Sequence, residues 1–363
     1  MAKFTDVFSD ETRQGQKIQT SDYLSCGKHP IIDQGQEQIS GYSNAEDGLF
    51  RDVPAIIFGD HTRIIKYIDT PFFLGADGVK VLKSKIKNTD CKYLYYSLQS
   101  IKIPNTGYNR HFKWLKEAHI PLPPLTEQRK IAAVLDKVSD LIAKRRQQLD
   151  KLDELVKSRF IEMFGDVIRN SKAWQMRVFE DVAASRLGKM LDAKQQTGKY
   201  SYPYLANFNV QWFRFNIENL NQMDFDEDDR AEFKLKDGDL LVCEGGEIGR
   251  CAVWHNEIQP CFFQKALHRV RCNRQIIHPD YLAWWFKYNC DYDGFTAIAG
   301  SKATIAHLPG IKLKQLQVAV PPIELQEQFA TFVEQTDKWK LAIQKSLDKL
   351  EILKKALMQK YFG

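Results

Sequence analysis

The feature that most constrains this chain is a long, charged segment that occurs twice. A shift of 198 positions aligns Ile120–Gly165 with Val318–Gly363 without a gap. In both copies a Pro-Pro pair stands near the start and Phe-Gly stands at the end. Prolines before a segment and a glycine after it are typical of a helix start and stop. A self-match at so long a period predicts one unit written twice, with a globular block before each long helix.

The first copy, Leu125–Gly165, has the periodicity of a long helix with Thr126 as its N-cap. Its apolar residues alternate between spacings of four and three, which predicts a coiled-coil seam that Arg145 and Arg159 interrupt. A helix of this length spans about 60 Å. Neither copy can bury its apolar stripe alone, so we expect the two helices to pack together; the alternative is two unrelated surface helices. The first seam comprises Ile131, Leu135, Val138, Ile142, Leu149, Leu152, Val156 and Met163, and the second Phe329, Val333, Ile343, Leu347, Leu350, Leu357 and Tyr361, with Thr336, Lys340 and Lys354 as weak points.

Length and composition bound the class of protein. A chain of 363 residues is too long for one ordinary core and predicts two or three domains. The sequence has no apolar run long enough to span a membrane and no signal-peptide core, so we expect a cytoplasmic protein. A net charge of +6 is compatible with a nucleic-acid partner but does not demand one. Seven cysteines without a C-x-x-C pair favour reduced structural thiols, although a zinc site with nearby histidines is conceivable.

The two blocks before the helices have the same plan of short strands and a few helices, which predicts an α+β fold. In the first block we predict strands at 30–32, 55–58 and 79–82 and a helix at 90–99. In the second we predict strands at 200–208 and 316–320, a turn leading into a strand at 235–242, and a helix at 280–288. The Gly-rich segment 245–249 lacks the spacing of a phosphate loop and is interpreted as a β-turn. The acidic run 224–229 is interpreted as a solvated loop or helix start rather than a metal site.

The segment from Ile120 to Ala132, with its Pro-Pro pair, Thr126-Glu127-Gln128 and a long helix ending in Phe164-Gly165, resembles the central spacer of type I restriction–modification specificity subunits. The resemblance covers essentially the whole chain. Weaker matches are Gly35-Gln36 with Ile39–Tyr42, and Asp237–Val242 with Ile248-Gly249. The second copy departs from the pattern, because residues 324–328 blur the Glu-Gln signature.

The resemblance implies two α/β target-recognition domains separated by two long antiparallel coiled-coil helices, with a pseudo-twofold internal repeat. The expected segments are a first recognition domain at 1–122, a central spacer helix at 123–165, a second recognition domain at 166–320 and a distal spacer helix at 321–363. Each domain is expected to read one half of a bipartite double-stranded DNA sequence, while the helices set the gap. The implied partners are modification (methyltransferase) subunits, two in number, and in some systems restriction (translocase–nuclease) subunits. No cofactor is expected on this chain itself; S-adenosylmethionine is expected on the methyltransferase subunits.

Candidate DNA-binding residues are loop positions whose side chains suit bases or phosphates. Arginine and lysine suit guanine and phosphate, and asparagine and glutamine suit adenine. For each of them a solvated side chain or a local turn hydrogen bond is the competing interpretation. The candidates in the first block are Gln34, Gln36, Tyr42, His61, Arg63, Asn109, Arg110 and His111, and those in the second are Lys189, Lys194, Asn207, Asn209, Arg214, Arg250, Gln264, Lys265, Ser301 and Lys302.

The sequence carries no motif for chemistry of its own. It contains no Asn/Asp-Pro-Pro-Tyr/Phe methyltransferase tetrapeptide, P-loop or nuclease-like carboxylate cluster. We therefore predict a recognition subunit that has no catalytic or metal-binding residues. The alternative is a structural adaptor whose paired helices join protein partners, and a third possibility is an enzyme that acts alone.

Overall fold

The computed structural model describes residues 1–75, 78–107, 109–191, 196–295 and 307–363. The chain divides into two units. Unit 1 comprises Met1–Gln148 with Ile343–Gly363, and unit 2 comprises Leu149–Ala342. Each long helix is therefore shared, with one half in each unit.

The short strands of unit 1 form two small sheets and one further strand pair. One sheet has the antiparallel order β2-β8-β5-β6, and the other has the order β4-β3-β7, in which β3 and β7 run parallel. A third pair, β1-β9, brings the start of the unit to the residues just before its long helix. Its elements are β1 (Ala2–Lys3), α1 (Phe4–Val7), β2 (Phe8–Asp10), β3 (His29–Ile32), β4 (Gly41–Ser43), β5 (Ala55–Gly59), β6 (Ile65–Ile68), β7 (Phe73–Leu74), β8 (Val79–Ser84), α2 (Cys91–Ser100), α3 (Phe112–Lys116), β9 (His119–Ile120) and α4 (Leu125–Phe164).

Unit 2 repeats this topology strand for strand. Its sheets have the orders β11-β19-β16-β17, β15-β12-β18 and β10-β20, and β12 and β18 run parallel like their counterparts in unit 1. A hairpin of β13 and β14, together with a short helix α6, is inserted around β15. The elements are β10 (Gln175–Val178), α5 (Phe179–Val182), β11 (Ala183–Leu187), β12 (Ser201–Leu205), β13 (Val210–Gln211), β14 (Arg214–Phe215), β15 (Asn221–Asp224), α6 (Glu227–Phe233), β16 (Leu240–Cys243), β17 (Cys251–Val253), β18 (Phe262–Phe263), β19 (Leu267–Cys272), α7 (Pro279–Asp291), α8 (Gly310–Lys314), β20 (Gln317–Val320) and α9 (Ile323–Phe362).

Both long helices form where the repeat predicts them. In unit 1 the first half of α4 shares a core with the last turns of α9, including Leu357 and Phe362. In unit 2 the second half of α4 packs on the beginning of α9, where the rings of Phe160 and Phe164 lie 5.5 and 5.4 Å from that of Phe329. In each unit the start of one helix meets the end of the other, so the pair is antiparallel. The predicted α+β repeat with an antiparallel helix pair is confirmed.

Two details of the helix prediction need correction. The helix begins at Leu125, so Thr126 lies in its first turn and cannot be the N-cap. The seam is also tighter than the arginines suggested, because Phe160, next to the predicted interruption at Arg159, is only 1% exposed. Thr336, a predicted weak point, is buried and donates its hydroxyl to the carbonyl of Phe332 at 2.9 Å. That bond satisfies a polar group inside the seam.

Most local predictions for the blocks also hold, but the strand predicted at 200–208 ends at Leu205, and Asn207–Asn209 form a 3₁₀ turn instead. The three strands predicted in the first block correspond to β3, β5 and β8, and the helix to α2, whose N-cap Asp90 accepts from the amide of Tyr93. Residues 244–250 turn between β16 and β17, and the acidic run supplies the N-cap Asp226 and first turn of α6. In the described ranges, no helix is both long and apolar enough to cross a membrane.

Candidate DNA interface

In unit 1, the buried Asp60 joins three loops at one edge of the β-structure. Its amide donates to Gly78 before β8, at 2.7 Å. Its carbonyl accepts from the amide of His111 at 2.8 Å, and its carboxylate accepts from the amide of Phe112 at 2.7 Å. These bonds hold the residues after β5, before β8 and before α3 in one place. Because Asp60 satisfies buried backbone groups, it acts as part of the scaffold rather than as a reader of bases.

Gln34 attaches a fourth loop to this edge. Its side-chain oxygen accepts from the amide of His61 at 3.2 Å, and its carbonyl accepts from the hydroxyl of Thr62 at 2.7 Å. Gly78 lies against the same residues at a φ of +91°, and a Cβ there would be 2.8 Å from both Gln34 and His61. Only glycine fits this close approach at a positive φ.

A buried lysine binds the 33–40 loop of unit 1. Lys66 is 3% exposed, donates to the carbonyl of Glu37 and lies 3.6 Å from the carboxylate of Asp33. Burial lowers the pKa of Lys66, while Asp33 opposes that shift. Burial raises the pKa of Asp33, but hydrogen bonds from Ser40 and the amide of Gly35, together with the charge of Lys66, outweigh it and keep that pKa below its usual range. This loop, which contains Gln34 and Gln36, is therefore positioned by an internal ion pair.

The same loop-to-loop hydrogen bonds recur in unit 2 with different residues. The amide of Glu244 donates to Ala266, as Asp60 does to Gly78, and the carbonyl of Glu244 accepts from Leu308, as Asp60 does from His111. Two further bonds correspond in the same way. The amide of Gly75 donates to the carbonyl of Ile32 at 2.8 Å in unit 1, and that of Gln264 donates to Leu205 at 3.1 Å in unit 2. The amide of Gly59 donates to Ile64 in unit 1, and that of Cys243 donates to Arg250 in unit 2, both at 2.8 Å. The two units thus present equivalent loop edges on one backbone framework.

In unit 2, a clamp between Arg250 and Asn207 closes this edge. The Arg250 guanidinium donates to the side-chain oxygen of Asn207 at 2.8 Å and to its carbonyl at 3.1 Å. The Asn207 amide group donates in turn to the carbonyl of Gly245 at 2.9 Å. Lys189, on a neighbouring loop, is paired with Asp229 and donates to the carbonyl of Asp224 at 2.7 Å. Arginine and lysine at this edge are therefore partly engaged within the protein.

The candidate residues fall into four groups by exposure. Among the exposed ones, the Asn109 amide group donates to the carbonyl of Thr106 and the Lys265 ammonium lies 3.8 Å from the sulfur of Met190. The half-buried ones form or border the loop framework. Exposed are Gln36, Asn109, Arg110, Arg214 and Lys265; half-buried are Gln34, Tyr42, His61, Arg63, Lys189, Asn207, Arg250 and Gln264; buried are His111 and Asn209; and Lys194, Ser301 and Lys302 lie outside the described residues.

Two candidates are corrected by their burial. His111 is 0% exposed, and its Nδ1 lies 3.0 Å from the carbonyl of Asp60. Asn209 is 2% exposed, accepts from the amide of Ala206 at 2.9 Å and donates to the carbonyl of Asn216 at 2.9 Å. Both side chains satisfy backbone groups inside loops, so they are structural residues in this conformation and have no surface to offer DNA.

Sequence reasoning also missed residues of this edge. Asp60 and Glu244 were not candidates, because the candidates were loop residues with amide, guanidinium, ammonium or aromatic groups. Phe208 was not a candidate either, although it stands between two predicted asparagines and is 57% exposed. The framework bonds of Asp60 and Glu244 use backbone groups at positions far apart in sequence, and no local pattern signals them.

Burial sets the protonation state of several cysteines. All seven cysteines are free thiols. Burial raises the pKa of Cys243 to about 11 and those of Cys261, Cys272 and Cys290 to about 12. Such thiols remain protonated at neutral pH and are poor nucleophiles. Where the chain is described, no three histidine, cysteine, aspartate or glutamate side chains group as metal ligands would.

Comparison with known proteins identifies the family. The profile of the type I restriction modification DNA specificity domain matches residues 1–154 and 171–353. The chain belongs to this family. The matched domain is a specificity domain and not a catalytic one, in agreement with the prediction of a recognition subunit.

Individual relatives agree with this assignment. A putative type I restriction enzyme MjaX specificity subunit from Methanocaldococcus jannaschii is 26% identical over 193 residues, which are 52% of this chain and 45% of the relative. The EcoR124I/EcoR124II specificity subunit from Escherichia coli is 28% identical over 146 residues, 37% of this chain and 36% of the relative. The matches thus span about a third to a half of these curated relatives. The crystal structure of a type I restriction-modification S subunit from M. genitalium superposes with a TM-score of 0.64 at 17% identity and covers 99% of this chain and 95% of that one, which shows a shared fold.

Proposed function

We propose that this chain is the sequence-specific DNA-binding specificity subunit of a type I restriction–modification complex. Each unit reads one half of a bipartite double-stranded target through its loop edge, and the paired helices set the distance between the halves. Two modification subunits, each carrying S-adenosylmethionine, methylate adenines at the target. Restriction subunits join where the system includes them.

The observation that carries this proposal is the repeated loop framework with different side chains on it. The four backbone bonds are the same in both units, yet the exposed groups differ. They are Gln36, Asn109 and Arg110 in unit 1, and in unit 2 they are Lys265 beside the framework and Arg214 on the inserted β13–β14 hairpin. Backbone-fixed loops hold side chains in place, and side chains of different hydrogen-bonding type distinguish different base pairs. A split, asymmetric target requires such a pair of readers.

A structural adaptor is the competing function, and it draws on the exposed apolar side chains of α9. Leu341, in the half of α9 that belongs to unit 2, is 57% exposed, and Ile352, in the half that belongs to unit 1, is 70% exposed. We assign these side chains to the docking of the modification subunits. An adaptor alone, however, gives no reason for two loop edges built on one framework with cationic and amide groups.

Methylation mapping tests the proposal directly. The chain is co-expressed with the methyltransferase of its own system, and methylated adenines are located by sequencing of the host DNA. We expect one bipartite, asymmetric sequence. Methylation of a continuous short site, or none with a methyltransferase that binds this chain, would contradict the proposal. Binding of the purified complex to that target should weaken with salt, because phosphate contacts release counterions; salt-insensitive binding would favour the adaptor.

The role of each unit is tested by paired variants. Arg110→Ala should alter readout of one half-site only, and Arg214→Ala should alter readout of the other. Lys349→Ala, an exposed lysine on α9, is the matched control and should change neither half. If both arginine variants weakened all DNA sequences equally, those residues would contact phosphate rather than bases.

The ruler function is tested by lengthening both helices. Inserting four residues after Gln148 in α4 and after Ala342 in α9 adds about one turn, or about 6 Å, to each helix. We expect the gap in the target to grow by about two base pairs, at about 3.4 Å each, while both half-sites remain unchanged. An unchanged gap in a complex that still methylates DNA would show that the helices do not set the spacing.

A further inference from the structure

Phe208 is an exposed aromatic ring on an otherwise tightly held turn. It lies at the centre of the 3₁₀ turn Asn207–Asn209, which follows β12 directly at the loop edge of unit 2. Its exposure of 57% is the highest of any phenylalanine in the described part of the chain, and the next, Phe213, reaches 36%. Phe213 stacks on Trp284 at 4.4 Å between ring centroids, whereas no ring contact involves Phe208 among the described residues.

The turn that carries Phe208 is fixed from both sides. Asn207 is bound by Arg250 and by the carbonyl of Gly245. Asn209 is buried and bound to Ala206 and Asn216 at 2.9 Å each. The exposure of the ring therefore comes from an ordered turn, and a large apolar side chain presented in this way is a candidate contact for a partner.

The cationic side chains near Phe208 favour DNA as that partner. The turn shares the loop edge with Arg250 and Lys265, and Lys265 is exposed two residues after β18, the strand that pairs with β12. Aromatic and cationic groups on one edge match a surface of bases and phosphates. This step rests on the function proposed above.

We propose that Phe208 contacts the 5-methyl group of a thymine in the half-site read by unit 2. In the major groove of an intact duplex the thymine methyl is the apolar group that distinguishes one base pair from the others. Phenylalanine has no hydrogen-bonding group, so placing its ring against the edge of guanine or cytosine would remove water from polar atoms without replacing it. Phe208 is therefore a specificity-determining residue that selects an A·T pair at one position.

The test uses the complex of this chain with its methyltransferase and the target found by methylation mapping. Each thymine of the half-site read by unit 2 is replaced in turn by deoxyuridine, which lacks only the methyl group. We expect one replacement to weaken binding by wild-type complex about four-fold, the value of one buried methyl group. Phe208→Ala should weaken binding to the thymine duplex by at least the same factor. For this variant, replacing that thymine by deoxyuridine should weaken binding no further.

Controls separate the contact from folding and from the proposed function. Met176→Ala removes an apolar side chain that is 40% exposed on β10, outside the loop framework, and should leave the thymine dependence unchanged. Phe208→Ala should unfold at the wild-type temperature because its ring is exposed. A wild-type complex without sequence-specific binding would contradict the proposed function itself. Specific binding that Phe208→Ala leaves unchanged would overturn only the thymine contact. So would a variant that, at every thymine position, weakens binding equally to the thymine and the deoxyuridine duplex. That second result would indicate insertion of the ring between base pairs.

Discussion

Units 1 and 2 are most alike where they meet their own portions of the long helices. In unit 1 the buried Gln128 accepts from the amide of Asp90 at 3.0 Å and donates to the carbonyl of Pro123 at 2.8 Å. In unit 2 Gln326, 198 positions later, accepts from the amide of His278 at 2.8 Å and donates to the carbonyl of Pro321 at 2.8 Å. Gln128 thereby joins α4 to the N-cap of α2, and Gln326 joins α9 to the N-cap of α7. Duplication has preserved this joint, while the loop edges have diverged.

The units differ beside that same joint. In unit 1 the ammonium of Lys92 lies 3.1 Å from the carboxylate of Asp136, which also accepts from the hydroxyl of Tyr96 at 2.7 Å. The corresponding positions in unit 2 hold Asp280 and Glu334, two carboxylates that line one cleft of about 870 Å³. The ion pair of unit 1 is replaced by two carboxylates in unit 2, of which Glu334 pairs with Lys338 on its own helix at 2.7 Å and Asp280 lies 3.4 Å from His278. The comparison indicates that the glutamine joint, and not the neighbouring charges, is what the fold requires.

The largest asymmetry should appear in the helix packing. Phe160 of unit 2 is 1% exposed among aromatic rings, whereas Met358, its counterpart in unit 1, is half-buried. Phe160→Ala should lower the free energy of unfolding of unit 2 by about 3–5 kcal/mol, since it leaves a cavity in a dense core. Met358→Ala should cost unit 1 about half as much. Hydrogen exchange of peptides from each unit measures both, and equal losses would contradict the difference in packing.

The glutamine joint should show equivalence instead. Gln128→Ala and Gln326→Ala each leave buried backbone groups without partners, so each should destabilise its own unit by about 1–3 kcal/mol. Gln326→Ala should be the more costly, because Gln326 also donates to Ile276 at 3.1 Å. The exposed Gln328 provides the control, and Gln328→Ala should change stability by less than about 0.5 kcal/mol. A large loss in one unit with none in the other would show that the joint is not shared.

Local signals account for what the sequence predicted well. The Pro-Pro pair, the seam spacing and the strand-forming runs act over a few residues, so α4, α9 and most strands were found near their observed bounds. The tight packing of Phe160 was missed, because the adjacent Arg159 appeared to break the seam. Its burial depends on Phe329, which is far away in the sequence.

The candidate interface was harder to predict, for a physical reason. A polar loop residue can point to solvent or satisfy a backbone group, and the two possibilities have the same sequence. Arg110 and Lys265 are exposed, whereas His111 and Asn209 turned inward to bond the backbone. Which outcome occurs depends on loops that meet only in the folded unit, as at Asp60.

The charges beside the joint should respond to mutation with opposite signs in the two units. Lys92→Ala removes a partly exposed ion pair and should lower the stability of unit 1 by about 0.2–1 kcal/mol. Asp280→Asn removes one of several neighbouring carboxylates and should raise the stability of unit 2 by a few tenths of a kcal/mol. Hydrogen exchange of α2 in unit 1 and of α7 in unit 2 measures the two changes in stability. Changes of the same sign would refute the contrast.

The smallest expected effect is the pH dependence of that stabilisation. Burial raises the pKa of Asp280 from 3.8, and Asp337 and Glu334 add to the shift, while His255 and Arg274 oppose it. Between the unfolded and the raised folded pKa, the folded state binds more protons, so the stability contributed by Asp280 falls as pH rises. The gain from Asp280→Asn should therefore be near zero below about pH 4 and increase to a plateau towards neutral pH. Unfolding free energies of the two proteins across pH 4–7 provide the measurement. A gain that stays constant or shrinks with rising pH would mean that Asp280 is stabilised by the neighbouring cations, and unit 2 would then resemble unit 1 in its charges as well as in its joint.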